Sequence, residues 1–474
     1  MVDSLDTVSN NLCSIIDYAE ACLRFSPSHA VCQEASMANT LTRDYMSQLN
    51  SDQRVYLALN ECLELDAHHK FLCEEGRRVG LSLKSHYEKS GIGRHMRFFG
   101  HASQVTRLEK EIMEIGAKLE QRPDFFLLYR LAVKRHRMAI EFGHSSYASL
   151  MLQDQLMNDP GIVERFLNRL HKEQYIGSSY HVTKQPAILD EQIRVLQSIS
   201  STLFKLDFDV IESKFLGHSV KILSCRHKET FYGHIILLPI KGLGAPPCHY
   251  NIRTWRKRPS FNVVYDTHLA QTPISLVTFS VGEGDSMNWQ ESESLFHEFG
   301  HALHTIIGST EYHHLSGSRC SMDYAEVPSS LMELILKSQS IPIDKVGFDR
   351  ADIKKQILLS KFDLFIHGIA PRDWSDYAGF FQSLKEWEKL NRHICENPID
   401  TIRAMKNYGH LYHYGAGYYS YLLSRIIAAK VYHKYFKSPS HQQADHFTMH
   451  GLAVGGTRST KEILFNLDLL NIIL

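Results

Sequence analysis

The 474-residue chain lacks any run of about eighteen apolar residues, so no helix able to cross a bilayer is predicted. It lacks net charge: 52 Lys and Arg balance 52 Asp and Glu. Without a global basic field, a protein whose main work is gripping nucleic acid or an anionic membrane is disfavoured. It has no CxxC pair. Cys13, Cys22, Cys32, Cys62, Cys73, Cys225, Cys248, Cys320 and Cys395 are scattered, and an odd count in a long chain reads as free thiols in a reducing compartment. The opening MVDSLDTVSN is acidic and has neither the apolar core of a secretory signal nor an Arg-rich presequence. There is no internal repeat or low-complexity tract. What remains is ordinary globular composition, 43% hydrophobic and 22% charged. The length suits two to four domains, or one large lobed enzyme.

Histidine is plentiful, at 28 residues. Metal binding is therefore an early question, and chance histidine motifs are expected. Along the chain, residues 1–202 read as helix after helix. Leu12, Ile15, Ile16, Ala19 and Leu23 share one helical face. Val105, Leu108, Ile112, Ile115 and Leu119 step by three and four, a seam expected in the core. Segments 124–142 and 159–174 also carry helical patterns. The run Lys134, Arg135, His136, Arg137 reads as a solvated helix face and is assigned no function. From about 203 the texture changes. Segments 231–239, 261–267 and 274–281 are β-branched and aromatic, punctuated by Gly242, Gly244, Pro246, Pro247 and Pro259, and predict a small sheet. Helical patterning resumes near 289. The expected division is a helical lobe, 1–202, and a second lobe, 203–474, holding the sheet at 231–281.

The segment SESLFHEFGHALHTIIG contains His297, Glu298 and His301, an HExxH motif. On a helix, residues four apart lie one turn apart on one face, so both imidazoles can reach one ion. Glu298 projects beside that ion, where a carboxylate can take a proton from water. With this much histidine, a chance HExxH arises in roughly one such chain in ten, so the motif needs support. Zinc in a catalytic site takes three protein ligands. Glu326, 29 residues after His297, opens a second apolar-periodic stretch of Val327, Leu331, Leu334 and Ile335. Pro328 suits the first turn of that helix. Asp323 and Glu293 are candidate acceptors for imidazole N–H groups, equally readable as solvated or capping carboxylates. His304 is a rival ligand, read as packing or surface. Gly300 would let another backbone come close.

A third cluster, residues 407–425, holds six tyrosines with Gly409, Gly415 and Gly417. Such a segment can flex over a cleft, and a phenol can donate to a developing oxyanion. Tyr419, Leu422 and Leu423 are expected to be buried.

Three segments together, FHEFGHALH (296–304), SGSRCSMDYAEVPSSLME (316–333) and GHLYHYGAGYYSYLLSR (409–425), resemble the thimet oligopeptidase and neurolysin family of zinc metallopeptidases. Within it, the AEVPS and YGA forms are nearest the intermediate-peptidase branch. Weaker similarity runs through GHI (233–235), CHYNIR (248–253) and GHSSYASLML (143–152). The resemblance implies His297, His301 and Glu326 as ligands of one zinc ion and Glu298 as general base. It also implies Tyr414 and Tyr421 as tyrosines that contact the substrate carbonyl and backbone, and His410 as a substrate-binding histidine. The implied fold is mainly helical and two-lobed, with a deep central channel and a small sheet beside the zinc helix. The chain departs from the family in being short, and in carrying ILLPIKGLGAPP after GHI, which alters the expected channel rim at 236–247.

The implied activity is zinc-dependent hydrolysis of peptide bonds by a monomer. The resemblance points to removal of an N-terminal octapeptide from precursors imported into the mitochondrial matrix. The alternatives are a general oligopeptidase for short peptides, in organelle or cytosol, and a non-catalytic peptide-binding relative. No motif for nucleic acid is present.

Overall fold

The computed structural model describes residues 1–89, 101–122, 124–172, 177–178, 187–241, 247–257, 271–342, 346–368, 376–394, 409–437 and 441–470. The chain divides into two compact units, and neither is a continuous stretch. The first comprises Met1–His86, His181–Val346 and Ile427–Ile472; the second comprises Tyr87–Tyr180, Gly347–Ile426 and Ile473–Leu474. Among the described residues, no helix is long and apolar enough to cross a membrane. The architecture is mainly helical with a small five-stranded mixed sheet, as expected.

The first unit is built on that sheet. Its strands lie in the order Asp207–Phe215, His218–His227, Thr230–Lys241, Ile274–Val281 and Cys248–Arg253. Neighbours are antiparallel except Thr230–Lys241 and Ile274–Val281, which run parallel. The lack of helical period in FYGHIILLP has a simple cause. Ile236 and Leu238 pack with Ala21 and Phe25 of the N-terminal helix on one face. Ile235 and Leu237, fully buried, point to the opposite face, so both sides of the strand are apolar. The helix Trp289–Ile307 packs against strands Ile274–Val281 and Cys248–Arg253. The strands expected at 231–239 and 274–281 are present; the one expected at 261–267 lies outside the described residues.

The N-terminal helix, Val2–Phe25, buries polar as well as apolar residues. Ile15 and Leu23 are exposed, whereas Asp6 and Asn10 are buried. Asp6 and Asn10 are buried because they meet matching polar groups. The Asp6 carboxylate accepts from Arg256 Nε at 2.8 Å, and Asn10 exchanges side-chain amide bonds with Gln271 at 3.1 and 2.9 Å. A charged pair this deeply buried persists only when its hydrogen bonds are satisfied.

The second unit is helical. Its elements include His101–Gln121, Phe125–Glu141, Pro160–Lys172, Arg350–His367 and Tyr377–Asn391. Asp124 caps Phe125–Glu141 by accepting from the Phe126 and Leu127 amides. Leu108, Ile115 and Leu119 of the predicted seam are buried. The basic run 134–137 is not wholly a solvated face. Arg135 is 1% exposed, and its guanidinium donates to the carbonyls of Leu411 and Tyr412.

Candidate metal and catalytic site

The helix Trp289–Ile307 starts with a reciprocal cap. Asn288 accepts from the Glu291 amide at 2.9 Å, and Glu291 accepts from the Asn288 amide at 2.7 Å. Leu295, Phe296, Phe299, Ala302, Leu303 and Ile306 are buried. Trp255 Nε1 donates to the Ile306 carbonyl at 2.7 Å and Thr305 donates to Asn251 at 2.8 Å, so the end of the helix is tied to the edge strand and the residues just beyond it.

The helix Val327–Ser338 crosses this one at Gly300. A Cβ there would stand 2.5 Å from Ser329 Cα and 2.6 Å from the Pro328 carbonyl oxygen, so glycine is what permits the contact. Pro328 sits in the first turn, where no N–H is needed. Glu326 is the residue just before the helix, and Ser329 donates to its carboxylate at 3.0 Å. The close crossing brings the three expected ligands together. The ligand atoms of His297, His301 and Glu326 all lie within 4.8 Å of one another. Glu326 Oε2 is 3.4 Å from His297 Nε2 and 3.2 Å from His301 Nε2. All three side chains remain partly accessible.

Two imidazoles and one carboxylate converging this way suit a zinc ion. The local field points the same way. Burial disfavours charge on His297, but the Glu326 and Glu333 carboxylates overcome it and hold the ring's proton affinity well above its ordinary range. Burial would raise Glu326, but His301 and His297 hold its carboxyl well below the usual range. A site that draws a positive charge onto its ligands favours a cation.

Glu298 lies on the same helix. Burial raises its carboxyl above the ordinary value, partly offset by His297 and His301. It also accepts from the main-chain N–H of His249 on the edge strand. The His249 ring stacks on His301 at 5.8 Å and contacts Ser275 Oγ at 2.6 Å. Burial pushes this ring well below the ordinary histidine range.

The acceptor for the His297 ring is a carboxylate outside the expected pair. His297 Nδ1 donates to Glu333 at 2.6 Å, which fixes Nε2 as the ligand atom. Glu293 instead pairs with Lys337 at 2.6 Å, and Asp323 is fully buried. Glu333 was findable, since it lies seven residues after Glu326 on the same helical face. His304 is packed, as expected. It is fully buried, and burial with the nearby His301 pushes it down to about 3.

The tyrosine segment belongs to the second unit. It folds as a short helix, Gly409–His413, a tight loop, and the helix Tyr419–Val431. His410 stands at the centre of an aromatic group, with Tyr414, Tyr418 and Tyr421 at 5.1, 5.2 and 5.2 Å. Tyr414 is 58% exposed. Tyr419, Leu422 and Leu423 are buried, as expected.

Residues 248–469 match the family described as peptidase family M3. A mitochondrial intermediate peptidase of Malassezia globosa is 36% identical over 217 residues, covering 40% of this chain and 26% of that protein. The chain thus spans about a quarter of that relative. A mitochondrial intermediate peptidase of Arabidopsis thaliana is 22% identical, covering 91% of this chain and 81% of that protein. One from Yarrowia lipolytica is 23% identical, covering 98% and 79%. Among solved structures, the M32 carboxypeptidase from Deinococcus radiodurans R1 superposes with a TM-score of 0.60 at 10% identity, covering 98% of this chain and 94% of that one. Trypanosoma cruzi metallocarboxypeptidase 1 gives 0.53 at 10% identity, covering 98% and 95%. These structures share the fold.

Proposed function

We propose that this chain, whose residues 248–469 match peptidase family M3, is a metallopeptidase that removes an N-terminal octapeptide from precursor proteins imported into mitochondria. The observation that carries the chemistry is the convergence of His297, His301 and Glu326 within 4.8 Å, with Glu298 on the same helix. The biological assignment leans on relatives named mitochondrial intermediate peptidase.

His297, His301 and Glu326 would hold one zinc ion, with Glu333 fixing the tautomer of His297. Zinc, when bound, supplies a Lewis acid that acidifies water and polarises the scissile carbonyl. Glu298 accepts the proton of the attacking water as the new C–O bond forms, then delivers it to the amine as the C–N bond breaks. Its raised proton affinity is the direction a general base needs near neutral pH. The hydroxyl of Tyr414 or Tyr421 donates to the oxyanion, and His410 contacts the substrate.

The decisive variant is Glu298→Gln. It should keep zinc at one ion per chain by elemental mass spectrometry and lose about a thousandfold or more in kcat. Full activity in the zinc-loaded variant removes Glu298 as base. Substrate class is tested by comparing precursor-like peptides with generic short peptides. Equal cleavage of both favours a general oligopeptidase and sinks octapeptide removal.

A further inference from the structure

Within the second unit, three buried side chains form a continuous hydrogen-bonded chain under the tyrosine loop. Asp363 and Arg135 are each 1% exposed, and so is His367. His367 Nδ1 meets Asp363 Oδ1 at 2.8 Å, and His367 Nε2 meets Arg135 Nη1 at 2.8 Å. The guanidinium can only donate, so Nε2 must accept and the ring proton must sit on Nδ1, donated to Asp363. The ring is therefore neutral between a cation and an anion. Burial pushes its pKa down in the same sense, against the pull of Asp363.

Both ends of this chain grip the loop backbone. Asp363 accepts from the amide of Ala416 at 2.8 Å through one oxygen and from that of Tyr418 at 2.9 Å through the other. Arg135 donates to the carbonyls of Leu411 and Tyr412, the closing carbonyls of the short helix Gly409–His413. Such carbonyls have no partner within their own helix. Gly415 and Ala416 between them have φ of +33° and +65°. That conformation is unfavourable for Ala416, and it holds because flanking groups on both sides are pinned. A Cβ on Gly415 would stand 2.6 Å from Arg135 Nη1 and 2.8 Å from His367 Nε2, so the network also sets the loop's contact distance.

We propose that Arg135, His367 and Asp363 are positioning residues that hold the loop between His410 and Tyr421 in its catalytic conformation. They act through the loop backbone and touch no substrate. The catalytic part of the proposal rests on the reading of Tyr414 and Tyr421 as substrate-contacting groups.

The test uses the zinc-loaded full chain with His367→Phe and His367→Gln. A phenyl ring fills the site but neither donates nor accepts. A glutamine amide can donate to Asp363 and accept from Arg135. In His367→Phe, amide exchange over 411–418 should accelerate about tenfold or more. kcat should fall about a hundredfold with KM within about threefold, as expected when reacting groups lose their alignment. Zinc content should stay at the wild-type level. His367→Gln should recover at least about tenfold of the lost kcat and restore most of the protection. Should His367→Phe not fold, Asp363→Asn replaces it, with faster exchange expected at Ala416 and Tyr418. Unchanged exchange over 411–418 in either folded variant overturns the proposal. So does a glutamine variant as impaired as the phenylalanine one. The exchange measurement needs no activity, so it still decides the positioning role if the wild-type chain hydrolyses no peptide and the functional reading fails.

Discussion

Replacing Asp6 with asparagine should destabilise the first unit by about 2–4 kcal/mol. Asp6 is fully buried, and its two oxygens take four donors. Oδ2 accepts from Arg256 Nε at 2.8 Å and from the His313 amide at 3.3 Å. Oδ1 accepts from the His314 amide at 3.1 Å and from His314 Nδ1 at 2.8 Å. An asparagine NH₂ at either position would face two donors and take the Asp6 charge away from Arg256, itself 1% exposed. Removing one partner of a buried ion pair typically costs about 3–5 kcal/mol. A second route gives a similar magnitude. Burial pushes the Asp6 carboxyl up, but the His314 hydrogen bond, the His313 and His314 rings and Arg256 more than offset this and bring it from 3.8 to about 2. That difference corresponds to about 2 kcal/mol.

The sign of the pH effect follows. A depressed carboxyl contributes its full stability above pH 3.8 and loses it as pH falls through about 2. Scanning calorimetry of the wild type and Asp6→Asn at pH 7 should separate their melting by about 4–8 °C. The gap should shrink steadily between pH 4 and pH 2, because only the wild type loses the contribution there. Amide exchange in the helix Val2–Phe25 should be faster in the variant at pH 7. Melting points within about 1 °C at pH 7, or a gap equally wide at pH 7 and pH 2, would refute the reasoning.

Two further perturbations probe the metal site. Glu333→Gln removes the carboxylate that fixes the His297 ring, and zinc affinity should fall about 10–100-fold in chelator competition, with the helices intact by circular dichroism. Unchanged affinity would mean that the Glu333 contact does not orient the ligand. Gly300→Ala forces a methyl onto the backbone of Pro328 and Ser329, and an overpacked contact of this kind costs about 1–3 kcal/mol. Because the same crossing joins His297 and His301 to Glu326, zinc affinity and thermal stability should fall together; a fall in stability alone would separate crossing from ligation.

The candidate metal site was largely legible because helical geometry is local. His297 and His301 must share a face at a spacing of four, and Pro328 marks a helix start whatever surrounds it. Glu333 obeys the same arithmetic seven residues beyond Glu326. It escaped because Glu293 and Asp323, closer along the chain to the ligands, also carry carboxylates, and sequence distance does not say which one reaches Nδ1. The strand Thr230–Lys241 was recognisable from composition, though its apolar run could not reveal that both faces are covered.

The polar networks were not legible, and the reason is the same for both. Asp6 and Arg256 lie 250 residues apart, and Arg135 and His367 lie 232 apart. Arg135 sits in a run whose local pattern reads as a solvated face, because a charged residue looks identical whether water or a distant partner satisfies it. What decides burial is the number of partners waiting at the other end. Arg135 meets two carbonyls at the end of a five-residue helix and a neutral imidazole, and Asp363 meets two loop amides and the same imidazole. Those backbone groups are left over at the end of Gly409–His413 and in the loop before Tyr419–Val431, where neither helix satisfies them. A short, broken, glycine-rich segment therefore generates a demand for buried charge elsewhere in the chain. Its sequence announces that demand without naming the residues that answer it.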